Sequence, residues 1–255
     1  MPTKIEWCDE VWNPVTGCTP ISEGCQHCYA KRMARRLHGR CGYPDFPKEF
    51  SVTFHQDRLD LPMKWKKPRR IFVNSMGDIF HDDVDTHWID DVLEVIGACS
   101  QHTFIMLTKR PGNMERKLYE VTEAHGCREL GGGDYLPNLW LGVTAENQEM
   151  AEKRIPELLA VLAAVHFVSV EPMLAPVDIS WNLERFACAT KDVKTGCVTP
   201  KRTRIDWVIA GPETGPGARS CNAEWIEDLG RQCKSAWVPF FDKRDEFIRR
   251  EWPTE

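Results

Sequence analysis

Short apolar segments alternate with helical patterns along the whole chain, and this alternation constrains the fold more than any other feature. The segments are rich in β-branched and aromatic residues and are apolar nearly throughout, as expected for parallel strands that are covered on both faces. They cover residues 51–54, 71–74, 103–108, 139–144, 166–170, 206–210 and 237–241, with 11–15 as an earlier first strand.

Strands that alternate with helices predict a parallel sheet with right-handed crossovers. Seven or eight such units favour an α/β fold of the TIM-like (β/α) barrel type, partial or nearly closed, although an open doubly wound sheet has the same periodicity. The chain has 255 residues, which is enough for one barrel. We therefore predict a single domain over residues 1–255, with an insertion on the barrel rim near 178–204.

The charge of the chain limits which partners it can bind. The formal net charge is −5, which argues against indiscriminate nucleic-acid binding but not against a local basic patch. Such patches can track phosphates or can be ordinary solvated helix faces. Basic residues cluster at 31–36, at 64–70 around Trp65, at 109–110 and at 201–204.

The start of the chain is polar and has no apolar core of the kind found in a signal peptide. No apolar run reaches the length of a membrane span. We therefore expect a cytoplasmic protein without a membrane partner.

Eleven cysteines is an odd number, so they cannot form a closed set of disulfides. In a chain without a signal peptide, clustered cysteines are typical of metal or redox chemistry. The scattered ones, Cys99, Cys127 and Cys233, are expected to be small buried core residues.

Cys18, Cys25 and Cys28 form a C-x6-C-x2-C motif between a predicted strand and a basic helix. Three thiolates on a cube of four irons leave one iron open, whereas four would saturate the cube. An open iron can take the amino and carboxylate end of S-adenosylmethionine, whose cleavage produces a carbon radical. The motif thus suggests a 4Fe–4S cluster and S-adenosylmethionine as cofactors.

A structural zinc site is the alternative interpretation of this motif, because closed tetrahedral zinc sites also use C-x2-C pairs. It requires a fourth ligand. The available side chains are Cys8, Cys41, His27 and His38.

Several motifs carry a resemblance to a known family. They are WNPVTGC at 12–18, GCQHCYA at 24–30, FVNSMGD at 72–78, LTKRP at 107–111, WLGVT at 140–144, FVSVEP at 167–172, DWVIAG at 206–211 and GPGAR at 215–219. Together they resemble a phage and bacterial three-cysteine family of uncharacterised phage proteins that is placed in the radical S-adenosylmethionine superfamily. Its barrel layout is similar to that of spore photoproduct lyase, a radical enzyme that acts on thymine in DNA.

The chain departs from these patterns in two places. The commonest cysteine spacing of the superfamily is C-x3-C-x2-C, whereas the first gap here contains six residues. The family tends to have GGESG and KQWG where this chain has GPETG at 211–215 and FDKRD at 241–245.

Polar residues follow the predicted strands at the ends where β/α barrels hold their chemistry. They are His55, Asn74, Ser75, Asp78, Thr108, Lys109, Thr144, Glu146, Glu171, Glu213 and Asp242. Solvation of ordinary loops is the competing explanation for each of them.

The resemblance implies roles for part of this ring. Ser75, Asp78, Lys109 and Thr144 are expected to bind the cofactor, with Lys109 neutralising its carboxylate. Tyr29, which follows the third cysteine, is expected to pack near the adenine.

The carboxylates that follow later strands are expected to meet the substrate or to place a proton. They are Glu146, Glu171 and Glu213, and Lys109 is a further catalytic candidate. A buried carboxylate needs a partner, for which Arg110 and Arg219 are available.

The resulting hypothesis is a radical S-adenosylmethionine enzyme of the lyase or isomerase type that modifies, rearranges or repairs a thymine-derived base in phage or bacterial DNA. DNA and a reductant protein such as a flavodoxin or ferredoxin are the expected partners. Two alternatives stay open at this point: a zinc-stabilised nucleic-acid-binding protein without catalysis, and a radical enzyme for a small molecule or peptide.

Overall fold

A computed structural model describes residues 3, 5–124, 136–184, 188–191, 198–201, 204–244 and 249–253. Seven parallel strands form one curled sheet, and we label these strands β1 to β7 in chain order. They are Glu10–Trp12 (β1), Arg70–Val73 (β2), Thr103–Thr108 (β3), Leu139–Thr144 (β4), Val165–Val170 (β5), Trp207–Ala210 (β6) and Phe240–Asp242 (β7).

Each strand of this sheet pairs with its neighbour in the chain order β1 to β7, and β1 and β7 form its two edges. The fold is therefore a half-barrel of the α/β class, and the prediction of a partial barrel is confirmed. The helices are Tyr29–Leu37 (α1), Thr86–Ala98 (α2), Pro111–Ala124 (α3), Gln148–Ala160 (α4), Ser180–Leu183 (α5) and Ala223–Ser235 (α6), with short 3-10 turns at Glu23–Cys25, Gln56–Arg58 and Pro62–Lys64. No helix in the described part of the chain is both long and apolar enough to cross a bilayer.

The first predicted strands need correction. Residues 11–15 divide at Pro14, which lacks an N–H, so only Glu10–Trp12 joins the large sheet. Val15–Thr16 instead pairs antiparallel with Thr53–Phe54 in a separate two-stranded sheet. The segment 51–54 is thus not a barrel strand, and His55 does not follow one.

The last strand begins later than predicted. Trp237 has a φ of 56° and is 91% exposed, so it belongs to the turn after α6 and not to a strand. Between β5 and β6 the predicted insertion contains α5 and an antiparallel hairpin of Cys188–Lys191 with Val198–Lys201. The division into one domain with an insertion stays a prediction.

The sheet separates two apolar cores. Its outer face packs against the helices, where β2 contributes Ile71 and Val73 and α2 contributes Ile89 and Leu93. Its inner face encloses a smaller cluster that is unusually aromatic. This cluster comprises Trp7, Cys8, Phe72, Ile105, Trp140, Phe167, Trp207, Ile209 and Phe241.

The inner cluster fills the amino-terminal half of the barrel. Inward-facing strand residues such as Trp140, Phe167 and Trp207 provide most of it, and Trp252 packs on Phe241 at a ring-centroid distance of 5.2 Å. Aromatic side chains at the base leave polar residues to face inward near the carboxyl ends of the strands. Among the scattered cysteines, Cys99 and Cys233 are buried as predicted, whereas Cys127 lies outside the described residues.

We predict that Gly142→Ala destabilises the fold. A Cβ atom at Gly142, in the middle of β4, would lie 2.4–2.6 Å from ring carbons of Phe167. Because overpacking a filled core typically costs about 1–3 kcal/mol, the free energy of unfolding should fall by that amount in denaturant titrations. The control is Gly97→Ala on the exposed surface of α2, where the nearest atom is Leu136 Cδ2 at 3.5 Å. That variant should be neutral or slightly stabilising, and equal losses in both would contradict the packing argument.

Candidate metal and cofactor site at the carboxyl ends of the strands

The loop that carries the three cysteines, residues 17–28, arcs across the carboxyl ends of the strands. It begins at Gly17, directly after the Val15–Thr16 strand of the small two-stranded sheet, and Gly17 forms an isolated bridge with Gly77 beyond β2. Gly17 has a φ of 92°, and a Cβ atom there would meet Ser51 O at 2.2 Å, so this approach requires glycine. The loop then passes the ends of β3, β4 and β6, and α1 begins directly after Cys28.

Arg110 anchors the start of this loop. Its guanidinium is 7% exposed and lies 3.3 Å from both Cys18 Sγ and Asp78 Oδ2. It also donates to the carbonyl oxygen of Thr19 at 2.9 Å and to the Thr19 hydroxyl at 3.0 Å. A buried arginine therefore joins the end of β3 to the first cysteine.

Asp78 holds this arginine in position. Its carboxylate accepts hydrogen bonds from the Thr108 hydroxyl at 2.8 and 2.9 Å and from the Lys109 N–H at 3.3 Å. These bonds shape the turn that follows β3 and direct Arg110 toward the loop. The resemblance implied cofactor binding by Asp78, but its carboxylate faces the protein's own backbone and Arg110.

His81 completes the same network. Its Nδ1 accepts from the Asp83 N–H at 3.1 Å, so its Nε2 carries the proton and donates to the Thr19 hydroxyl at 2.7 Å. Burial and the nearby Arg110 both lower the pKa of His81, which keeps the ring neutral.

Glu146 supports the middle of the loop. This carboxylate is fully buried and pairs with Arg154 of α4 at 2.7 Å. A Cβ atom at Gly24 would lie 3.0 Å from Glu146 Cδ, so the glycine allows the loop to rest on the glutamate. Burial alone would raise the pKa of Glu146, but Ser22, Arg154 and Lys109 together lower it further than burial raises it.

Glu213 fastens the end of the loop to the segment after β6. Its carboxylate accepts from Arg219 Nε at 2.9 Å, from Arg219 Nη2 at 2.6 Å and from the Arg219 backbone N–H at 2.8 Å. His27 Nδ1, between the second and third cysteines, lies 3.0 Å from the same carboxylate. The predicted pairing of Arg219 with one of the glutamates is confirmed.

Hydrogen bonds from Arg219 lower the pKa of Glu213 to about 2, and its backbone N–H and His27 add to the effect. Arg219 also reaches the carbonyl oxygen of Glu23 at 3.2 Å. The contacts of the Glu213 carboxylate and of Arg219 thus attach the cysteine loop to the segment that follows β6.

The cysteines themselves differ in electrostatic environment. Burial raises the pKa of Cys18 to about 11, although Arg110 partly opposes this. Burial also acts on Cys25, but the nearby Lys109 and hydrogen bonds from Ile21 and Ser22 outweigh it, so the pKa of Cys25 is lowered. Cationic side chains next to two of the three sulfurs suit an anionic metal–sulfur centre.

The inner wall below the loop is polar. The sheet register places Thr144 of β4 opposite Ser169 of β5. Beyond the strand ends, Glu171 and Lys243 form an ion pair across Gly211. These four polar residues come from the carboxyl ends of β4, β5 and β7.

Tyr29 and Ser75 meet on the opposite wall. The Tyr29 hydroxyl donates to the carbonyl oxygen of Ser75, while the residue as a whole is 49% exposed. The Ser75 hydroxyl donates to Asn13 Oδ1 at 3.2 Å. Burial of the Tyr29 hydroxyl raises its pKa, so this phenol stays protonated.

The predicted site residues thus fall into two groups. Thr144, Glu171, Ser75, Lys109 and Tyr29 surround the mouth of the half-barrel, and their roles stay predictions. Glu146, Glu213 and Asp78 hold the loop or the turn next to it. Sequence reasoning overlooked Arg154 and Lys243 and treated Arg110 only as an ion-pair partner. Arginines and lysines after strands are common, and nothing in the sequence pattern indicates which of their side chains turn inward.

A zinc site would need one fourth ligand, for which four side chains are candidates. Two of these four have other contacts. Cys8 is buried in the inner aromatic cluster, and His27 is bonded to Glu213. In the described ranges, no three His, Cys, Asp or Glu side chains lie close enough to share a single metal ion. The ligands of a 4Fe–4S cube bind separate irons and therefore stand further apart than the ligands of one ion. Cys18, Cys25 and Cys28 are free thiols on one loop, and thiolates are the ligands that such clusters use.

Comparison with solved structures shows which known proteins have a similar half-barrel. A variant of spore photoproduct lyase with bound AdoMet and dinucleoside spore photoproduct superposes with a TM-score of 0.50 at 12% identity, covering 92% of this chain and 76% of that one. Spore photoproduct lyase complexed with dinucleoside spore photoproduct gives 0.49 at 11% identity, covering 90% and 74%. The first superposition shows that this chain shares the partial-barrel fold of spore photoproduct lyase.

The chain belongs to the family described as "Protein of unknown function (DUF5131)", whose model matches residues 2–251. No curated protein matches the sequence.

We predict that the Glu213 carboxylate makes stability depend on pH. Its pKa is about 2 in the folded protein and 4.5 when unfolded, so its contribution is complete above pH 4.5 and is lost as the pH falls toward 2. Glu213→Gln should lower the free energy of unfolding by up to about 3 kcal/mol at pH 7 and by less than about half of that near pH 3. Denaturant titrations at both pH values measure this, with the exposed Glu115→Gln as control. A loss that is the same at both pH values would contradict the assignment.

Proposed function

We propose that this protein is a radical S-adenosylmethionine enzyme that binds a 4Fe–4S cluster through Cys18, Cys25 and Cys28. The observation that carries the proposal is the cysteine loop, which is fastened over the carboxyl-end mouth of a half-barrel with cationic side chains beside two of its sulfurs. Reductive cleavage of S-adenosylmethionine at an open iron would supply a 5′-deoxyadenosyl radical that removes a hydrogen atom from the substrate.

The residues of the chain have distinct tasks in this proposal. Arg110 donates to the Cys18 sulfur and compensates part of the negative charge of a thiolate-bound cluster. Lys109, beside Cys25, neutralises the cofactor carboxylate. Ser75 and Thr144 supply hydroxyl groups on two sides of the mouth, and Tyr29 offers an aromatic face for the adenine.

The Glu171–Lys243 pair is the charged group that we assign to the substrate. It lies at the ends of β5 and β7, and both side chains are about one-fifth exposed, at 24% and 19%. A carboxylate that already has a cationic partner can accept a hydrogen bond from a substrate without a large desolvation cost.

We further propose a nucleic-acid base as substrate, with a lyase or isomerase type of reaction on a thymine-derived base in phage or bacterial DNA. Support comes from the fold, since the superposed spore photoproduct lyase carries a dinucleoside spore photoproduct. Unactivated C–H and C–C bonds of a base are out of reach of acid–base chemistry, which is why a radical is required. A flavodoxin or ferredoxin is the proposed electron donor.

We predict that Cys25→Ala abolishes radical formation. Protein reconstituted with iron and sulfide under anaerobic conditions should be brown and, with a reductant and S-adenosylmethionine, should release 5′-deoxyadenosine. Cys25→Ala should lose the product and part of the iron, because two thiolates do not hold the cube stably.

Cys41→Ala is the matched control for that experiment, since Cys41 is an exposed free cysteine outside the loop. It should retain both iron and product. If zinc binds in place of iron, or if Cys25→Ala forms as much product as the parent protein, the proposed function is wrong.

We predict that Arg110→Gln makes the cluster harder to reduce. A cation beside the cluster favours the reduced, more negative state, so its removal should lower the midpoint potential by an amount on the order of 100 mV. A redox titration followed by electron paramagnetic resonance measures this shift without turnover. Arg116→Gln, in the exposed i,i+4 pair with Glu120, should leave the potential unchanged. An unchanged potential in Arg110→Gln would contradict the role of this contact.

A further inference from the structure

The basic groups of the sequence lie at opposite ends of the half-barrel. Arg69 and Arg70 stand at the start of β2, at the amino ends of the strands, and pair with Glu10 and Asp9. Arg204, just before β6, pairs with Asp206. In contrast, α1 begins at the third cysteine, so its cations lie beside the mouth.

Helix α1 has one buried side and a broad exposed side. Ala30 and Ala34 pack with Tyr43 and Met76 in a small core. The exposed positions hold cations, which are Lys31, Arg35 and Arg36. Arg32 turns toward the segment after β6, where it donates to the carbonyl oxygens of Thr214 and Pro216 at 3.5 and 3.4 Å.

The segment after α1 extends this surface. Gly39 N–H donates to the carbonyl oxygen of Pro44 at 3.3 Å, which places the turn around Phe46 beside the end of the helix. Phe46 is 68% exposed, and Arg40 and Lys48 flank the turn. Residues 29–50 contain six lysines and arginines against two acidic residues, in a chain whose net charge is −5.

Three of these cations have no role in holding the fold. Arg35 lies 3.5 Å from the buried Glu49 and so has a structural partner. Within the described residues, the side chains of Lys31, Arg36 and Arg40 make no hydrogen bond or ion pair. Next to them, Tyr29, Met33 and Phe46 are 49%, 40% and 68% exposed.

We infer that this surface, which we call the α1 surface (residues 29–40 and 44–48), binds single-stranded nucleic acid and delivers it to the mouth. The inference rests on the proposed function, because the nucleic-acid substrate is part of that proposal. Free cations track phosphates, and an exposed aromatic ring beside them stacks on an unpaired base. A duplex would keep its bases stacked on one another and would not use Phe46.

Binding of a fluorescent single-stranded oligonucleotide, followed by anisotropy at several salt concentrations, tests the inference. Lys31→Glu/Arg36→Glu/Arg40→Glu should weaken binding at least about tenfold and reduce the slope of log K against log salt by about 2, because each phosphate contact contributes about 0.7. Phe46→Ala should weaken binding by about tenfold with little change in slope.

Matched controls lie at the other end of the barrel. Lys64→Glu/Lys66→Glu/Lys67→Glu reverses three exposed charges, and Met63→Ala removes an apolar side chain that is 50% exposed. Both should bind like the parent protein, and all variants should keep its thermal melting profile and iron content.

The inference would be overturned by absence of binding at low salt, by equal losses in the α1 and control variants, or by a preference for duplex that Phe46→Ala does not alter. If the α1 variant bound the oligonucleotide normally but lost reduction by an acidic flavodoxin, the surface would be a docking site for the electron donor instead. Because binding is measured without turnover, a failure to form 5′-deoxyadenosine would disprove the proposed function and leave this inference standing.

Discussion

The arrangement of the site depends on the buried guanidinium of Arg110. It lies 3.3 Å from both the Asp78 carboxylate and the Cys18 sulfur, and it is almost inaccessible to water. A buried charge that loses its partners carries a large desolvation free energy. Moving the cysteine loop away from Asp78 would leave the Arg110 charge in that state, so the loop stays in place. Because Asp78 also shapes the turn after β3, this contact connects the barrel to the cysteine loop.

Two further ion pairs repeat this principle along the loop. Glu146 with Arg154 supports its middle, and Glu213 with Arg219 holds its end. Each pair joins the end of a different strand to a loop without regular secondary structure over most of its length. A loop with six residues between its first two cysteines gains its order from these attachments, so the longer spacing is compatible with a defined site.

The two halves of the barrel have different roles for a physical reason. Side chains near the amino ends of the strands are large and aromatic and fill the interior, as the tight fit of Gly142 against Phe167 shows. A filled base provides a rigid floor and excludes water from below. Near the carboxyl ends, polar and charged side chains line the interior instead, among them Thr144, Ser169 and the Glu171–Lys243 pair.

Periodicity and the cysteine motif were enough to predict the parallel half-barrel, because strands buried on both faces and a three-cysteine loop have local signatures that need no knowledge of distant contacts. Local patterns could not separate Val15–Thr16 from the sheet, nor could they show that Glu146 and Glu213 support the loop or that Arg110 reaches Cys18. Those features arise from pairings between residues as far apart as Cys18 and Arg110 or His27 and Glu213. The amino-acid sequence by itself thus determined the alternation of strands and helices, whereas the tertiary structure decided which charges meet, since burial and distance exist only once the chain has folded.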